Sequence, residues 1–139
     1  MKKIVWVVDD DAEIRHAMHL MFHLLGYDLL EFSDGREATR ALLRGPAPDL
    51  LFLDLSMPEV SGLEILQFIR SRITWKKMPI LIMSSDSDDT RVEQTMRMGA
   101  DGYVFKPVNL EELESAIRAA TEKRRLIYEG NTGPLVQIP

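Results

Sequence analysis

The apolar residues of this chain fall in short blocks separated by polar stretches. The blocks at 4–8 (IVWVV), 50–53 (LLFL), 80–83 (ILIM) and 103–105 (YVF), with a weaker one at 28–32 (DLLEF), read as strands. Three are nearly all apolar, as strands covered on both faces should be. Between them, helical spacing predicts helices over 12–25, 36–44, 62–71, 88–98 and 110–125. In the first, Ile14, Met18, Met21 and Leu25 recur on one face. Gly26, Gly45-Pro46, Gly99 and Asn109 supply stops or caps. Five β-α units joined by right-handed crossovers predict an α/β protein: a doubly wound five-stranded parallel sheet with helices on both faces.

Composition narrows the choices. With 139 residues, 45% of them hydrophobic, the chain can build one sizeable core and has no room for a second domain. A net charge of −5 without a long basic run predicts no direct contact with nucleic acid. The absence of cysteine excludes disulfides, thiolate metal sites and cysteine nucleophiles. IVWVV is too short for a signal-peptide core, and no other run reaches membrane-spanning length, so a soluble cytoplasmic protein without membrane contact is expected.

Polar groups stand where the apolar strands end: Asp9-Asp10-Asp11 after the first, Asp54 after the third, Ser84 after the fourth and Lys106-Pro107 after the fifth. An open parallel sheet carries its ligands at that edge. In the order 2-1-3-4-5, the flavodoxin-like arrangement, the first and third strands are neighbours and bring Asp9 and Asp10 to face Asp54. Two carboxylates about 4 Å apart repel by roughly 4 kcal/mol at an effective dielectric near 20. Such a cluster asks for a cation, and hard carboxylate oxygens suit Mg²⁺ or Mn²⁺. Asp9 and Asp10 are the expected holders, Asp10 more directly. Lys106 adds positive charge that can hold an anion, and Ser84 can donate its hydroxyl proton to it. With its charge balanced, Asp54 can attack a phosphoryl donor in line and form an acyl phosphate.

These residues together closely resemble the receiver domain of bacterial two-component response regulators. The resemblance rests on VVDDD followed by Ile14-Arg15, the segment from Asp54 through Leu55, Ser56, Met57 and Pro58 to Gly62, the pair Ser84-Ser85, and GADGYVFKP ending in Lys106-Pro107. The separations of Ser84 and Lys106 from Asp54 match as well. The resemblance implies a receiver domain over 1–126 and a tail or truncated linker over 127–139. It implies that Asp54 takes a phosphoryl group from a histidine kinase or histidine phosphotransfer protein. Asp10, Asp54 and the backbone carbonyl of Ser56 would ligate the metal, with Asp9 acting through water. Lys106 would pair with the phosphate across a cis bond to Pro107. Ser84 and Tyr103 would form the switch. Output to a downstream effector or a missing output domain, and any dimer, would use the face of helix four, strand five and helix five. In those terms the protein is a phosphoacceptor switch, not an enzyme in the usual sense, although it would catalyse its own phosphorylation and dephosphorylation. The VWVVDDD opening resembles receivers that precede ATPase-type transcription activators.

Some positions depart from the common pattern. Ser85 replaces a frequent alanine, and Ser56 and Asp86 line the expected water path, where Asp86 should discourage anionic small donors. Other readings belong beside these. A DDD run alone is more often a helix cap or solvated turn, Ser84 can serve as a cap, and a strand tyrosine is often only core. Ile14 and Met18 fit core packing as well as a kinase-facing rim. His16, His19 and His23 share a helix face, but no third metal ligand is evident. The segment Trp75-Lys76-Lys77 reads as an exposed connection. Arg91, Asp101 and Arg118 read as ordinary surface charge before dimer contacts. Three rival classes stand against the switch, one of them a hydrolase with an aspartyl nucleophile, for which no substrate-pocket motif or general base is evident. A mononucleotide-binding flavodoxin-like protein would need a phosphate loop where the three aspartates lie. A phosphorylation-independent pseudo-receiver would not need the acidic cluster, serine and lysine.

Overall fold

The computed structural model describes residues 2–130. Five strands, β1 (Ile4–Val8), β2 (Asp28–Phe32), β3 (Leu50–Asp54), β4 (Ile80–Ser84) and β5 (Gly102–Phe105), alternate with five helices. The helices are α1 (Ala12–Leu24), α2 (Gly35–Arg44), α3 (Gly62–Arg70), α4 (Asp89–Arg97) and α5 (Leu110–Arg125). A 3₁₀ turn, Ile73–Trp75, links α3 to β4, and a π-helical turn, Leu126–Gly130, continues α5. The strands form one parallel sheet in the order β2-β1-β3-β4-β5, as the sequence predicts.

Alternation along each strand sends successive side chains to opposite faces and builds two cores. Trp6, Val8, Leu51, Leu53, Ile80 and Ile82 pack with residues of α2 and α3 such as Leu42, Ile65 and Ile69. Val5, Val7, Phe52, Leu81 and Met83 pack on the other face with Met18 and Phe22 of α1 and with Leu113 and Ile117 of α5. Every residue of β3 and β4 is buried, which explains why those strands are continuously apolar until their last residue. β2 is a sheet edge and is largely exposed, which is why its block is weaker in the sequence.

Side-chain caps set the helix starts. Asp11, Asp34, Ser61, Asp88 and Asn109 each accept backbone N–H bonds at the head of the next helix. The DDD run is therefore divided in role: Asp11 caps α1, and the two residues before it face the sheet edge. Gly26 and Gly99 take left-handed backbone, with φ of 85° and 111°, and end α1 and α4. Gly45 is extended (φ −159°), so Pro46, not a left-handed cap, stops α2.

Two expectations fail. Trp75 is buried in the α2/α3 core and its ring lies 5.7 Å from that of Phe68, so the Trp75-Lys76-Lys77 segment is anchored although both lysines are exposed. Asp101 is buried too, and Arg70 and Arg124 pair with it inside the molecule. The predicted tail lies outside the described residues from 131 onward. No helix among the described residues is long and apolar enough to cross a membrane.

Candidate phosphoryl-transfer site

Strand register brings the polar groups together. Val8 pairs with Leu53, which sets Asp9 beside Asp54 at the carboxyl end of the sheet. Asp54 is itself the last residue of β3, and Ser84 the last of β4, paired with Phe105. Lys106 follows β5 directly, and its backbone N–H donates to the Ser84 carbonyl at 2.9 Å. The Lys106-Pro107 peptide is cis. Gly62 is required close by, since a Cβ there would lie 2.2 Å from the Asp54 carbonyl oxygen.

The carboxylates of Asp9, Asp10 and Asp54 each offer an oxygen within 4.8 Å of the others. Asp9 and Asp54 are buried, at 0% and 2% exposure, whereas Asp10 is exposed at the rim. Lys106 Nζ lies 3.1 Å from Asp54 Oδ1 and 3.1 Å from Asp9 Oδ2. The first contact is an aligned hydrogen bond; the second is a charge contact that leaves Asp9 Oδ2 buried without a hydrogen-bond donor among the described residues. Asp9 Oδ1 accepts from the Asp11 N–H at 2.9 Å, and Asp54 Oδ1 accepts from the Ser56 N–H at 3.4 Å. Lys106 thus meets the two buried acids of a cluster of three.

The imbalance shows in the proton affinities. Burial, then the neighbouring charge of Asp9, pushes the Asp54 carboxyl up to about 6, against the opposing pull of Lys106. Burial alone would lower the Lys106 ammonium, but its contact with Asp9 and the charges of Asp54 and Asp9 outweigh that and raise it. A clustered acid set with an orphaned buried oxygen fits a hard divalent cation, so these residues are suited to Mg²⁺ or Mn²⁺.

Ser84 is 1% exposed, and its Oγ accepts from the Asp86 N–H at 3.0 Å. Ser84 is not a helix cap; Asp88 has that role in α4. Tyr103 is half-buried, and its hydroxyl donates to the Asp86 carbonyl at 2.8 Å. The Asp86 peptide therefore touches both predicted switch residues, while its carboxylate lies 3.7 Å from Arg91 on α4. Sequence reasoning did not find the groups that steady the acidic loop. Arg15 Nη1 donates to the Asp9 carbonyl at 2.8 Å while its Nε bonds Glu31 at 2.8 Å. His19 also meets Glu31, at 2.9 Å, and no third residue joins the histidines in a metal cluster among the described residues. The reach of Arg15 back to Asp9 and across to β2 joins segments that spacing along one helix does not relate.

Known proteins share this arrangement. The family model described as the response regulator receiver domain matches residues 5–118. The chain is 33% identical over 126 residues to the transcriptional regulatory protein KdpE of Mycobacterium tuberculosis, covering 91% of this chain and 54% of that protein. It thus spans about half the length of the curated relatives it matches. The fold matches the chemotaxis protein CheY4 of Vibrio cholerae with a TM-score of 0.79 at 27% identity, over 86% of this chain and 99% of that one. It matches NtrX of Brucella abortus with a TM-score of 0.82 at 25% identity, over 94% of this chain and 29% of that one. By sequence and by fold, this chain belongs to the receiver domains of two-component response regulators, which are signalling switches and not classical enzymes.

Proposed function

We propose that Asp54 accepts a phosphoryl group from a phosphohistidine of a sensor kinase or histidine phosphotransfer protein, and that acceptance switches a partner-binding face on α4, β5 and α5. The observation that carries this reading is the buried Asp54 at the end of the central strand, hydrogen-bonded to Lys106 and crowded by Asp9. Asp54 Oδ1 takes the bonds from Lys106 and Ser56, so Oδ2 is the oxygen left to attack. As the new O–P bond forms, the P–N bond of the donor breaks and its electron pair returns to the imidazole nitrogen. Lys106, released from one carboxylate charge, then faces a phosphoryl oxygen, and Ser84 turns its hydroxyl proton toward another.

Asp10, Asp54 and the Ser56 carbonyl would hold Mg²⁺ or Mn²⁺, with Asp9 reached through water. When bound, the ion supplies positive charge to the crowded carboxylates and to the phosphoryl oxygens. Ser84 and Tyr103 both bond the Asp86 backbone, so movement of the serine hydroxyl removes one of the contacts that hold that loop. The loop leads into α4, which couples the site to the proposed output face. Because the relatives are about twice as long, the output belongs to a downstream effector or to an output domain. Asp101 takes no part in a dimer through that face, since its carboxylate is fully engaged inside the fold. We place the domain boundary near residue 126, where α5 gives way to the π-helical turn.

Intact-mass analysis of the wild type and Asp54→Asn, incubated with phosphoramidate with and without Mg²⁺, tests the reading. A single metal-dependent phosphoryl adduct that vanishes in the variant is expected. An adduct that persists in Asp54→Asn would move the acceptor elsewhere. No adduct, together with no Mg²⁺ stabilisation against heat, would leave a binding module that works without phosphorylation.

A further inference from the structure

Eight of the eleven arginines have a carboxylate within ion-pair distance, and the other three gather in one place. Among the described residues Arg40, Arg44 and Arg72 have no carboxylate within ion-pair distance, while every other arginine has one. Arg36, Arg40 and Arg44 stand one helical turn apart on α2 and are all exposed. Arg36 meets only Glu59, at 3.6 Å, with both side chains more than half in solvent. Arg72 extends the stripe toward α3, its guanidinium 4.8 Å above the Phe68 ring. Arg44 also faces the negative end of the α2 dipole, which accounts for one arginine and not for the set.

Apolar surface accompanies the charge. A cavity of about 310 Å³ between α2 and α3 is lined by Arg36, Arg40, Val60, Ile65 and Phe68. A second of about 470 Å³ is lined by Leu43, Pro46, Arg72, Thr74 and Trp75. Leu43, which lines the second cavity, is 56% exposed, and Ile73, between its lining residues Arg72 and Thr74, is 81% exposed. We propose that this α2–α3 face docks an acidic, amphipathic protein segment, whose carboxylates meet the arginines one turn apart while its apolar side chains cover Leu43, Ile73 and the two cavities.

Charge and surface type together select that occupant. Glu64 lines the first cavity and Glu59 stands at its end, so a continuous phosphodiester run meets repulsion that separately spaced carboxylates avoid. Leu43 and Ile73 offer exposed aliphatic anchors, whereas the rings that line the cavities are covered, Trp75 being buried and Phe68 lying beneath the Arg72 guanidinium, so neither is open for a base to stack on. α2 also packs beside β2, at the sheet edge opposite β5. Occupation of this face and of the proposed α4–β5–α5 face are therefore sterically independent, and the proposal does not rest on phosphorylation.

The test is an NMR titration of the ¹⁵N-labelled chain with a synthetic helical peptide carrying glutamates one turn apart beside a leucine stripe. The same peptide with lysine for glutamate and a single-stranded oligothymidine serve as alternatives. Amide shifts confined to α2, α3 and residues 72–75 are expected, weakening with salt. Affinity should fall about tenfold or more in Arg40→Glu/Arg44→Glu, whose spectrum elsewhere stays that of the wild type. Leu43→Ser should weaken binding with the charges intact. Absent or scattered shifts, equal binding of the lysine peptide, or tighter binding of oligothymidine that depends on Arg40 and Arg44 would each overturn the proposal.

Discussion

The two ends of the sheet hold buried ionic clusters with opposite balances of charge. At the carboxyl edge, Lys106 is the one cation among the described residues that meets Asp9 and Asp54, and Asp9 Oδ2 has no hydrogen-bond donor among them. At the amino edge, Asp101 is shared by Arg70 and Arg124, with Lys123 at 3.9 Å. Its Oδ2 accepts from Arg70 at 2.9 Å and from the Ile80 N–H at 2.9 Å, and its Oδ1 takes both Nε and Nη2 of Arg124. The same guanidiniums bind the carbonyls of Trp75, Met78, Lys76 and Gly99, tying α3, the 3₁₀ turn, β4 and α5 into one unit. A satisfied cluster of this kind fixes geometry. An acid-rich, under-satisfied cluster is poised to exchange partners, as a phosphoacceptor needs. Even so, burial of Arg70 and its nearness to Arg124 lower its guanidinium to about 10, so the amino-edge cluster depends on Asp101 to hold two cations together.

Removing Asp101 should therefore do the most damage. In Asp101→Asn two buried guanidiniums lose their shared counter-charge, and stability should fall by about 3–5 kcal/mol, read as a lower midpoint in urea. Phosphoryl acceptance by the fraction still folded should persist, because the carboxyl edge is untouched. A loss below about 1 kcal/mol would mean the cluster is no bolt. At the other edge the largest effect should come from adding a divalent cation. Saturating Mg²⁺, near a hundredfold over its dissociation constant, should raise stability by about 2.7 kcal/mol, visible as a higher melting temperature that a chelator reverses. Asp10→Asn should abolish most of that gain. Equal stabilisation of the variant would place the ion elsewhere.

Proton linkage gives the comparison a sign. The Asp54 carboxyl is raised from 3.8 to about 6 in the fold, so the folded state prefers it protonated. Its stabilising contribution is complete below pH 4 and is lost as pH climbs through 6. Metal-free Asp54→Asn should consequently be more stable than the wild type at pH 7, on the order of 2 kcal/mol, with the gap closing toward pH 4. Urea midpoints at the two pH values check this; a gap that widens in acid would show Lys106 holding the Asp54 charge more strongly than burial opposes it.

Most of this layout is legible in the sequence because it is local. Strand blocks, the helical face of Ile14, Met18, Met21 and Leu25, and the caps all depend on neighbours within a few residues. The carboxyl-edge site is legible for a related reason: in a parallel sheet every strand points the same way, so the residue after each apolar block reaches the same edge. The amino-edge cluster has no such rule. Asp101 meets Arg70 and Arg124 at separations of 31 and 23 residues, and nothing beside it in sequence separates it from a surface turn. Trp75 was hidden in the same way, a single apolar residue ahead of two lysines, buried only because the 3₁₀ turn folds it against Phe68. The division of Asp9, Asp10 and Asp11 into buried acid, exposed acid and helix cap likewise depends on backbone direction, which composition does not carry.

The smallest expected effect concerns where strain resides. Glu59, in the loop that follows Asp54, is the non-glycine residue with left-handed backbone among the described residues, at φ 66°. Near the amino edge the comparable left-handed position is Gly99, which adopts it freely. The one ionic contact of Glu59 among the described residues, with Arg36, is long and solvated and contributes little. Glu59→Gly should thus relieve a Cβ clash of about 1 kcal/mol, offset in part by the greater freedom of glycine in the unfolded chain. A net gain of roughly 0.5 kcal/mol is expected in denaturant titration. Strain held in the acceptor loop should also matter to the rate of phosphoryl acceptance, and Gly99→Ala provides the contrast: it forces a Cβ to 2.7 Å from Arg70 Cγ and should destabilise the fold without slowing acceptance by folded molecules. If Glu59→Gly instead lowers stability, the loop is held by its side chain, and the carboxyl edge is less strained than its backbone indicates.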